Sequence, residues 1–322
     1  MELLEEAGLP PGVINMLPGD GLAVSEVLLP DRALAGIHFT GSTATFRSLW
    51  RTVGEHLDTY ATYPRLVGET GGKDFSLAHA SADPDVLATA MIRGAFDYQG
   101  QKCSAASRAF VPRSVWSRMG DDLLDQVRAL RYGDVTDLSN FGGAVIDQRA
   151  FDKNAAAIER ARSAAGMTVA AGGTVDDSEG FFVAPTVLVG EDATDEAFST
   201  EYFGPILSVH VYDDSPTAFA DMMRAVDAGT RYALTGAVIA TDRAAIAEAT
   251  EGLRFAAGNF YVNDSPPGAV VGQQPFGGGR ASGTNDKAGS AQNLLRWTSS
   301  RSLKETFVPP RSPLYPHQAK EV

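Results

Sequence analysis

The sequence predicts an α/β protein built around a parallel sheet of βαβ units. Two observations carry that expectation. Short apolar runs alternate with longer amphipathic stretches along nearly the whole chain. The 33 glycines and 17 prolines among 322 residues supply the tight turns that such alternation needs. A hydrophobic fraction of 44% against 21% charged residues is that of a globular chain. At roughly 150 residues per domain it is long enough for about two domains.

The elements follow in order. Residues 2–7 read as the end of a helix, stopped at Gly8 with Pro10, Pro11 and Gly12 just beyond. Residues 13–17 are apolar and closed by Pro18-Gly19-Asp20-Gly21, which reads as a buried strand and turn. A helix over 22–29, a strand over 36–39, a helix over 44–57 and a strand over 65–67 continue the alternation. Beyond Gly71-Gly72 the acidic start at Asp83 and Asp85 suits the N-terminus of a helix over 84–98. A strand over 109–111, helices over 115–130 and 149–165, and a strand over 181–189 come next. Then follow a helix over 218–228, a strand over 233–239, a helix over 244–252 and a last strand over 258–262. The Pro-rich tail from Pro309 reads as extended or loose.

Composition excludes several functions. With 27 basic and 40 acidic residues the chain carries a formal charge of −13 and has no basic stripe, which argues against nucleic acid as a partner. The sole cysteine, Cys103, rules out an internal disulfide and a cysteine metal site. The five histidines lack ligand spacing, so no metal is expected. The first residues, MELLEEAGL, hold acids where a secretory signal needs bases, and no apolar run is long enough to span a membrane. A soluble, reducing, cytoplasmic setting is the expectation.

Five segments could carry chemistry. Cys103 sits in Gly100-Gln101-Lys102-Cys103-Ser104-Ala105. A lone cysteine is commonly a small buried apolar residue, but this one lies in a polar turn beside Lys102, a setting in which a cation favours the thiolate. Phe39-Thr40-Gly41-Ser42 runs from a strand into a helix. It reads either as an ordinary N-cap or as helix-start amides for a pyrophosphate. Glu69 in Glu69-Thr70-Gly71-Gly72-Lys73 is a surface ion-pairing residue or a general base. Glu201-Tyr202-Phe203-Gly204-Pro205 is a simple turn, or a carboxylate for ribose hydroxyls beside an aromatic wall. Gly272-Gln273-Gln274-Pro275-Phe276-Gly277-Gly278-Gly279 is a structural or a substrate loop.

In this order and spacing, FTGS, ETGGK, GQKCS, EYFGP and QQPFGGG resemble the aldehyde dehydrogenase superfamily. Gly258-Asn259-Phe260-Tyr261-Val262-Asn263-Asp264, the Arg280–Asp286 stretch RASGTND and Leu295-Arg296-Trp297-Thr298 look most like its Δ1-pyrroline-5-carboxylate dehydrogenase branch. The resemblance covers nearly the whole chain, from Gly12 to about Thr306. It implies an aldehyde dehydrogenase-like α/β fold: a partial Rossmann-type nucleotide-binding sheet over residues 1–71, an α/β catalytic domain over 72–285, and an oligomerisation segment and tail over 286–322.

The resemblance also implies chemistry: NAD-dependent oxidation of L-glutamate γ-semialdehyde to L-glutamate, the second step of proline catabolism. Cys103 would be the nucleophile and Glu69 the base that activates water against the thioester. Gly41, Ser42, Thr43, Ala44 and Thr45 would lie beside the NAD pyrophosphate, with Glu201 on the nicotinamide ribose and Phe203 lining the nicotinamide pocket. Lys102, Ser104, Gly268 and Ala269 would hold the amino-acid end of the substrate, and Phe276 its aliphatic part. Complete family members begin well before the segment matching Met1, so the expectation is an N-terminally truncated, poorly active chain that is a homo-oligomer when complete. Two further readings stand: a dehydrogenase of another aldehyde, and a non-catalytic fragment. A cysteine hydrolase is disfavoured, because no histidine shares a motif with Cys103.

Overall fold

The computed structural model describes residues 1–270 and 272–318. Two short helices, α1 (Glu2–Glu6) and α2 (Gly21–Leu28), open the chain. Asp20 caps α2 by accepting the N–H groups of Leu22 and Ala23 at 3.0 Å. Residues 13–17 between them do not form the expected buried strand. Val13 and Met16 are largely exposed, and no strand pairs with the segment among the described residues. An apolar run becomes a strand only where a neighbour completes its backbone hydrogen bonds.

Strand β1 (Gly36–Thr40), helix α3 (Thr43–Glu55) and strand β2 (Arg65–Glu69) form one βαβ unit, with β1 and β2 parallel. Phe46, Leu49 and Val53 on α3 recur at helical spacing and bury themselves against Leu66.

The rest of the chain builds a second sheet. In chain order its parts are β3 (Asp74–Ala78), α4 (Pro84–Phe96), β4 (Ala106–Pro112), α5 (Arg113–Ala129), α6 (Gln148–Ser163) and β5 (Met167–Ala171). The short pair β6 (Val175–Asp176) and β7 (Phe182–Val183) comes next, then β8 (Thr186–Gly190), β9 (Ile206–Tyr212), α7 (Ala218–Ala228) and β10 (Tyr232–Ala233). Last come β11 (Thr235–Ile239), α8 (Arg243–Gly252), β12 (Asn259–Val262), β13 (Gly279–Arg280) and α9 (Ala291–Leu295). Seven strands lie in the order β12-β11-β3-β4-β9-β8-β5, and only β5 pairs antiparallel. The α/β class and parallel pairing agree with the sequence reading. The expected strand over 181–189 is instead two, separated at Pro185, whose missing N–H cannot continue a ladder.

Alternation along β4 divides the core. Phe110 points into one cluster with Phe75, Leu77, Phe198 and Val238, while Ala109 and Val111 point into another with Leu87, Met91, Phe96 and Leu123. Helices therefore cover both faces, as a parallel sheet requires. Among the described residues no helix is long and apolar enough to cross a membrane.

One consequence of parallelism positions everything that follows. Strands β3, β4, β9, β11 and β12 all enter the sheet from the same edge. The segments leading into β3, β4 and β9 carry the ETGGK, GQKCS and EYFGP residues to that edge, the QQPFGGG loop is tied there by hydrogen bonds from Asn259 to the Pro275 carbonyl and from the Gly277 N–H to Asn259, and the C-terminal end of β2 faces it.

Phe75, fully buried on β3 between β11 and β4, sets the scale of the core. Phe75→Ala should lower stability by about 3–5 kcal/mol in urea denaturation, whereas exposed Leu138→Ala should change it by less than about 0.5 kcal/mol.

Candidate active site

The link from β2 to β3 is four residues, Thr70 to Lys73, and its two glycines are required by close approach. A side chain on Gly71 would strike the Glu201 carboxylate, with Oε1 2.6 Å from the Cβ position. One on Gly72 would strike both the Asp74 carboxylate and the backbone carbonyl of Cys103. Glu69, Asp74, Cys103 and Glu201 are thereby drawn around one bare stretch of backbone.

Glu69 ends β2 and is buried. It is held by a segment far away in sequence. Thr70 N–H donates to Ser282 at 2.8 Å, Thr284 N–H donates to the Gly68 carbonyl at 2.9 Å, and the Gly68 N–H donates to Thr284 Oγ1 at 3.1 Å. The RASGT stretch thus runs as a backbone partner along the free edge of β2, with a bridge between Glu69 and Gly283. Neither Glu69 oxygen meets a well-aligned donor, and Oε1 lies 2.9 Å from where a Gly277 side chain would begin. Burial pushes this carboxyl up to about 7, with the Gly278 backbone and the Lys287 ammonium pulling back and Asp286 adding to the rise. Lys287 is fixed by the Gly258 and Gly277 carbonyls at 2.6 and 3.0 Å, so it ties the glycine-rich loop to β12 beneath Glu69.

Cys103 lies after α4 and a turn in which Tyr98 and Gln99 (both φ 56°) and Gly100 (φ 62°) are left-handed in succession. Two consecutive non-glycine residues in that region are a strained approach to a functional turn. The thiol is half-buried, and burial pushes it up to about 11, aided by the negative charges of Asp74, Glu69 and Glu201. This corrects the expectation that a cation favours the thiolate. Lys102 turns away to pair with Asp97 at 2.5 Å, and the groups facing the sulfur are carboxyls.

Behind the cysteine lies a buried charged cluster. Arg108 on β4 is almost wholly enclosed and donates to the Lys73 and Val226 carbonyls at 2.8 and 3.1 Å. Lys73 is equally enclosed and sits 4.8 Å over the Tyr202 ring; burial and the Arg108 charge push it down to about 7. Glu201, next to that tyrosine, accepts the Gly72 N–H at 2.8 Å, and burial raises its carboxyl. Phe203 follows with φ 55° and is more than one-third exposed at the rim of a groove that also includes Tyr98, Phe141 and Ile146.

Gly41 to Thr45 lead from β1 into α3 beside Glu69, whose carbonyl accepts the Gly41 N–H at 3.2 Å. Ser42 caps the helix, taking the Thr45 N–H at 3.1 Å. This leaves the first-turn N–H groups of Thr43 and Ala44 without an intrahelical acceptor. The Thr43 hydroxyl is buried against Thr70 and the Ala281 carbonyl, so it anchors the turn. Helix-start amides and a carboxylate at the same sheet edge fit the phosphate and ribose ends of a dinucleotide.

The substrate residues are less gathered. Ser104 is buried and its carbonyl accepts from Thr235 Oγ1 at 3.4 Å. Gly268 and Ala269 lie on a loop whose start, Ser265 and Pro266, packs on Gly94 of α4, the helix that leads to Cys103. Phe276 is partly buried and bridges to Ala288. Lys73 and Thr284 lie inside the ETGGK and RASGTND motifs but have no role assigned from sequence, and Asp74, Arg108 and Lys287 are not singled out there. Asp74 directly follows ETGGK, which was the available signal; Arg108 and Lys287 come in from other segments.

Comparison with known proteins follows this geometry. The sequence profile described as the aldehyde dehydrogenase family matches residues 1–303. The mitochondrial delta-1-pyrroline-5-carboxylate dehydrogenases of Dictyostelium discoideum and Bos taurus are 48% and 47% identical over 98% of this chain. The crystal structure of the Mycobacterium tuberculosis Delta-pyrroline-5-carboxylate dehydrogenase bound with NAD superposes with a TM-score of 0.91 at 67% identity over 99% of this chain. The Thermus 1-pyrroline-5-carboxylate dehydrogenase with bound NAD gives 0.82 at 34% identity over 92%. The chain spans 56% of the length of those two curated relatives, and 58% and 55% of the two crystallised chains.

Two outcomes follow from the geometry. Gly72→Ala should cost about 1–3 kcal/mol in urea denaturation, because backbone and carboxylate must move to admit a methyl group. Glu69 keeps its proton in the folded chain to about pH 7 and loses it near 4.5 when unfolded. Between those values the folded state binds more protons, so this residue makes stability fall as pH rises. The stability of Glu69→Gln relative to wild type should therefore climb from pH 5 to 7 and level off above, in urea titrations across that range.

Proposed function

This chain belongs to the aldehyde dehydrogenase family, and from that premise we propose that its site oxidises L-glutamate γ-semialdehyde to L-glutamate with NAD, through covalent chemistry at Cys103. The observation that carries the reading is Glu69: a buried carboxyl with no well-aligned donor among the described residues, titrating near neutrality, at the sheet edge that holds the only thiol of the chain. Such a group is ionised in about half the molecules near pH 7 and can take a proton and return it.

The residues divide the work. The Cys103 sulfur bonds to the aldehyde carbon while the thiol proton passes to the new hydroxyl, which gives a thiohemiacetal. NAD, when bound, supplies the hydride acceptor that converts this adduct to a thioester with loss of the hydroxyl proton. Glu69 then takes a proton from water as the water oxygen bonds to the acyl carbon. The C–S bond breaks, the thiol is re-protonated and the acid leaves. The α3 amides of Thr43 and Ala44 and the Glu201 carboxylate hold the cofactor, with Phe203 at its rim. Ser104 and the Gly268-Ala269 loop hold the amino-acid end and Phe276 the aliphatic part, while Lys102, its charge taken by Asp97, is left out of the recognition.

The reading extends to setting and assembly. It makes the protein cytoplasmic, and a homo-oligomer when complete, supported by a free thiol that suits a reducing compartment and by the exposed apolar Leu303, Phe307 and Val308 on the tail.

The acyl half of the reaction is tested without cofactor. An activated ester of a short aliphatic acid should acylate Cys103 and turn over. Glu69→Gln should accumulate the acyl-enzyme by mass spectrometry and release it about a hundredfold more slowly, and Cys103→Ala should do neither. Hydrolysis by Cys103→Ala at the wild-type rate would overturn the reading. NADH formation faster with glutamate semialdehyde than with simple aliphatic aldehydes supports the assigned substrate, and the reverse order overturns it.

A further inference from the structure

Asp74 is the first residue of β3, and its side chain is aimed by an irregularity in the sheet. It pairs with Ala106, whereas Phe75 pairs with Arg108, so Ser107 is an extra residue on β4. A bulge of this kind re-aims neighbouring side chains. Asp74 Oδ1 accepts the Thr235 N–H at 2.6 Å. Its Oδ2 is buried and has no donor among the described residues. The Cys103 carbonyl likewise accepts no hydrogen bond among the described residues, and this oxygen and Asp74 Oδ2 crowd the same bare face of Gly72.

Two acceptor oxygens crowded against one another repel unless a proton is shared between them. We propose that Asp74 is a positioning residue that works as a neutral carboxylic acid, its Oδ2–H donated to the main-chain carbonyl of Cys103 while Oδ1 takes the Thr235 N–H. Thr235 completes the clamp, because its hydroxyl donates to the carbonyl of Ser104, the next residue. β3 and β11 thereby hold the two peptide groups on either side of Ser104, the first of which follows Cys103 directly, and the thiol is set by that backbone.

The surroundings agree. Burial pushes the Asp74 carboxyl up to about 8, against the pull of Thr235 and with Glu201 adding to the rise and Arg108 opposing it. The other ionisable groups bearing on it are adjacent Lys73, the Cys103 thiol and Tyr261 of β12. Ionisation would place an anion against a carbonyl oxygen and beside the sulfur, loosening the turn and disfavouring the thiolate together.

The inference rests on the reading of Cys103 as nucleophile, so its test reads the thiol itself and not aldehyde oxidation. Cys103 is the only cysteine, and its rate of alkylation by iodoacetamide can be followed from pH 6 to 10 in the whole chain. Asp74→Asn keeps both an acceptor for Thr235 and a donor for the carbonyl. It should label like wild type at pH 6–7 and pull ahead by about fivefold at pH 9.5, where wild-type Asp74 is ionised. Asp74→Ala should differ from wild type at pH 7, labelling about tenfold more slowly. Glu69 and Glu201 are common to all three proteins and cancel in the comparison. Identical profiles for wild type and Asp74→Asn over the whole range overturn the proposal. So does an Asp74→Asn protein that is already as impaired as Asp74→Ala at pH 7. The near-isosteric asparagine keeps the test decisive even where the alanine variant does not fold.

Discussion

The missing side chain of Gly72 is the constraint on which the rest of the site depends. On one face of that residue lie a carboxylate oxygen of Asp74 and the carbonyl of Cys103, and its N–H is taken by Glu201. A methyl group there would separate the strand that begins the second sheet from the turn that carries the thiol. Gly71 does the same for Glu201. The glycines therefore set distance more than flexibility, since close approach of three segments to one stretch of backbone needs residues that occupy no side-chain space.

Close approach determines the electrostatics. Burying Lys73, Asp74 and Arg108 together is costly unless each finds partners, and the partners are largely main chain: the Lys73 and Val226 carbonyls for Arg108 and the Thr235 N–H for Asp74. Desolvation then drives the reactive groups toward their neutral forms. Glu69 rises to about 7 and Cys103 to about 11, so the resting site holds a thiol and a carboxyl near its midpoint. The Glu69 carboxyl is also kept from locking into a salt bridge. Lys287 approaches Glu69 but spends its donors on carbonyls of the glycine-rich loop.

The misreadings have one physical source. β3 and β9 passed unread because Asp74, Ser76, Ser208 and His210 interrupt their apolar runs. In the fold the Ser208 hydroxyl is satisfied by the Ala197 carbonyl at 2.9 Å, and His210 Nδ1 lies 3.0 Å from the Gly190 carbonyl. Polar residues enter a buried strand when another segment supplies the partner, which no local window contains. Residues 13–17 are the converse, a strand-like run with no neighbour to pair with among the described residues. Lys102 misled for the same reason, since adjacency to Cys103 in sequence says nothing of Asp97 folding back to take its charge.

By itself the sequence determined the class of the fold, the family and the segments that carry the candidate groups. Those depend on short-range signals, such as helix caps, glycine pairs, alternating apolar runs and motifs of a few residues. Only the tertiary structure decided the surroundings of those groups, the turning of Lys102 to Asp97, and the seating of Asp74 on the Thr235 N–H beside the cysteine turn. Those depend on burial and on partners from β11, the RASGT stretch and the loop before β9. Such partners converge because parallel strands enter one sheet edge, a spatial fact that has no counterpart along the chain.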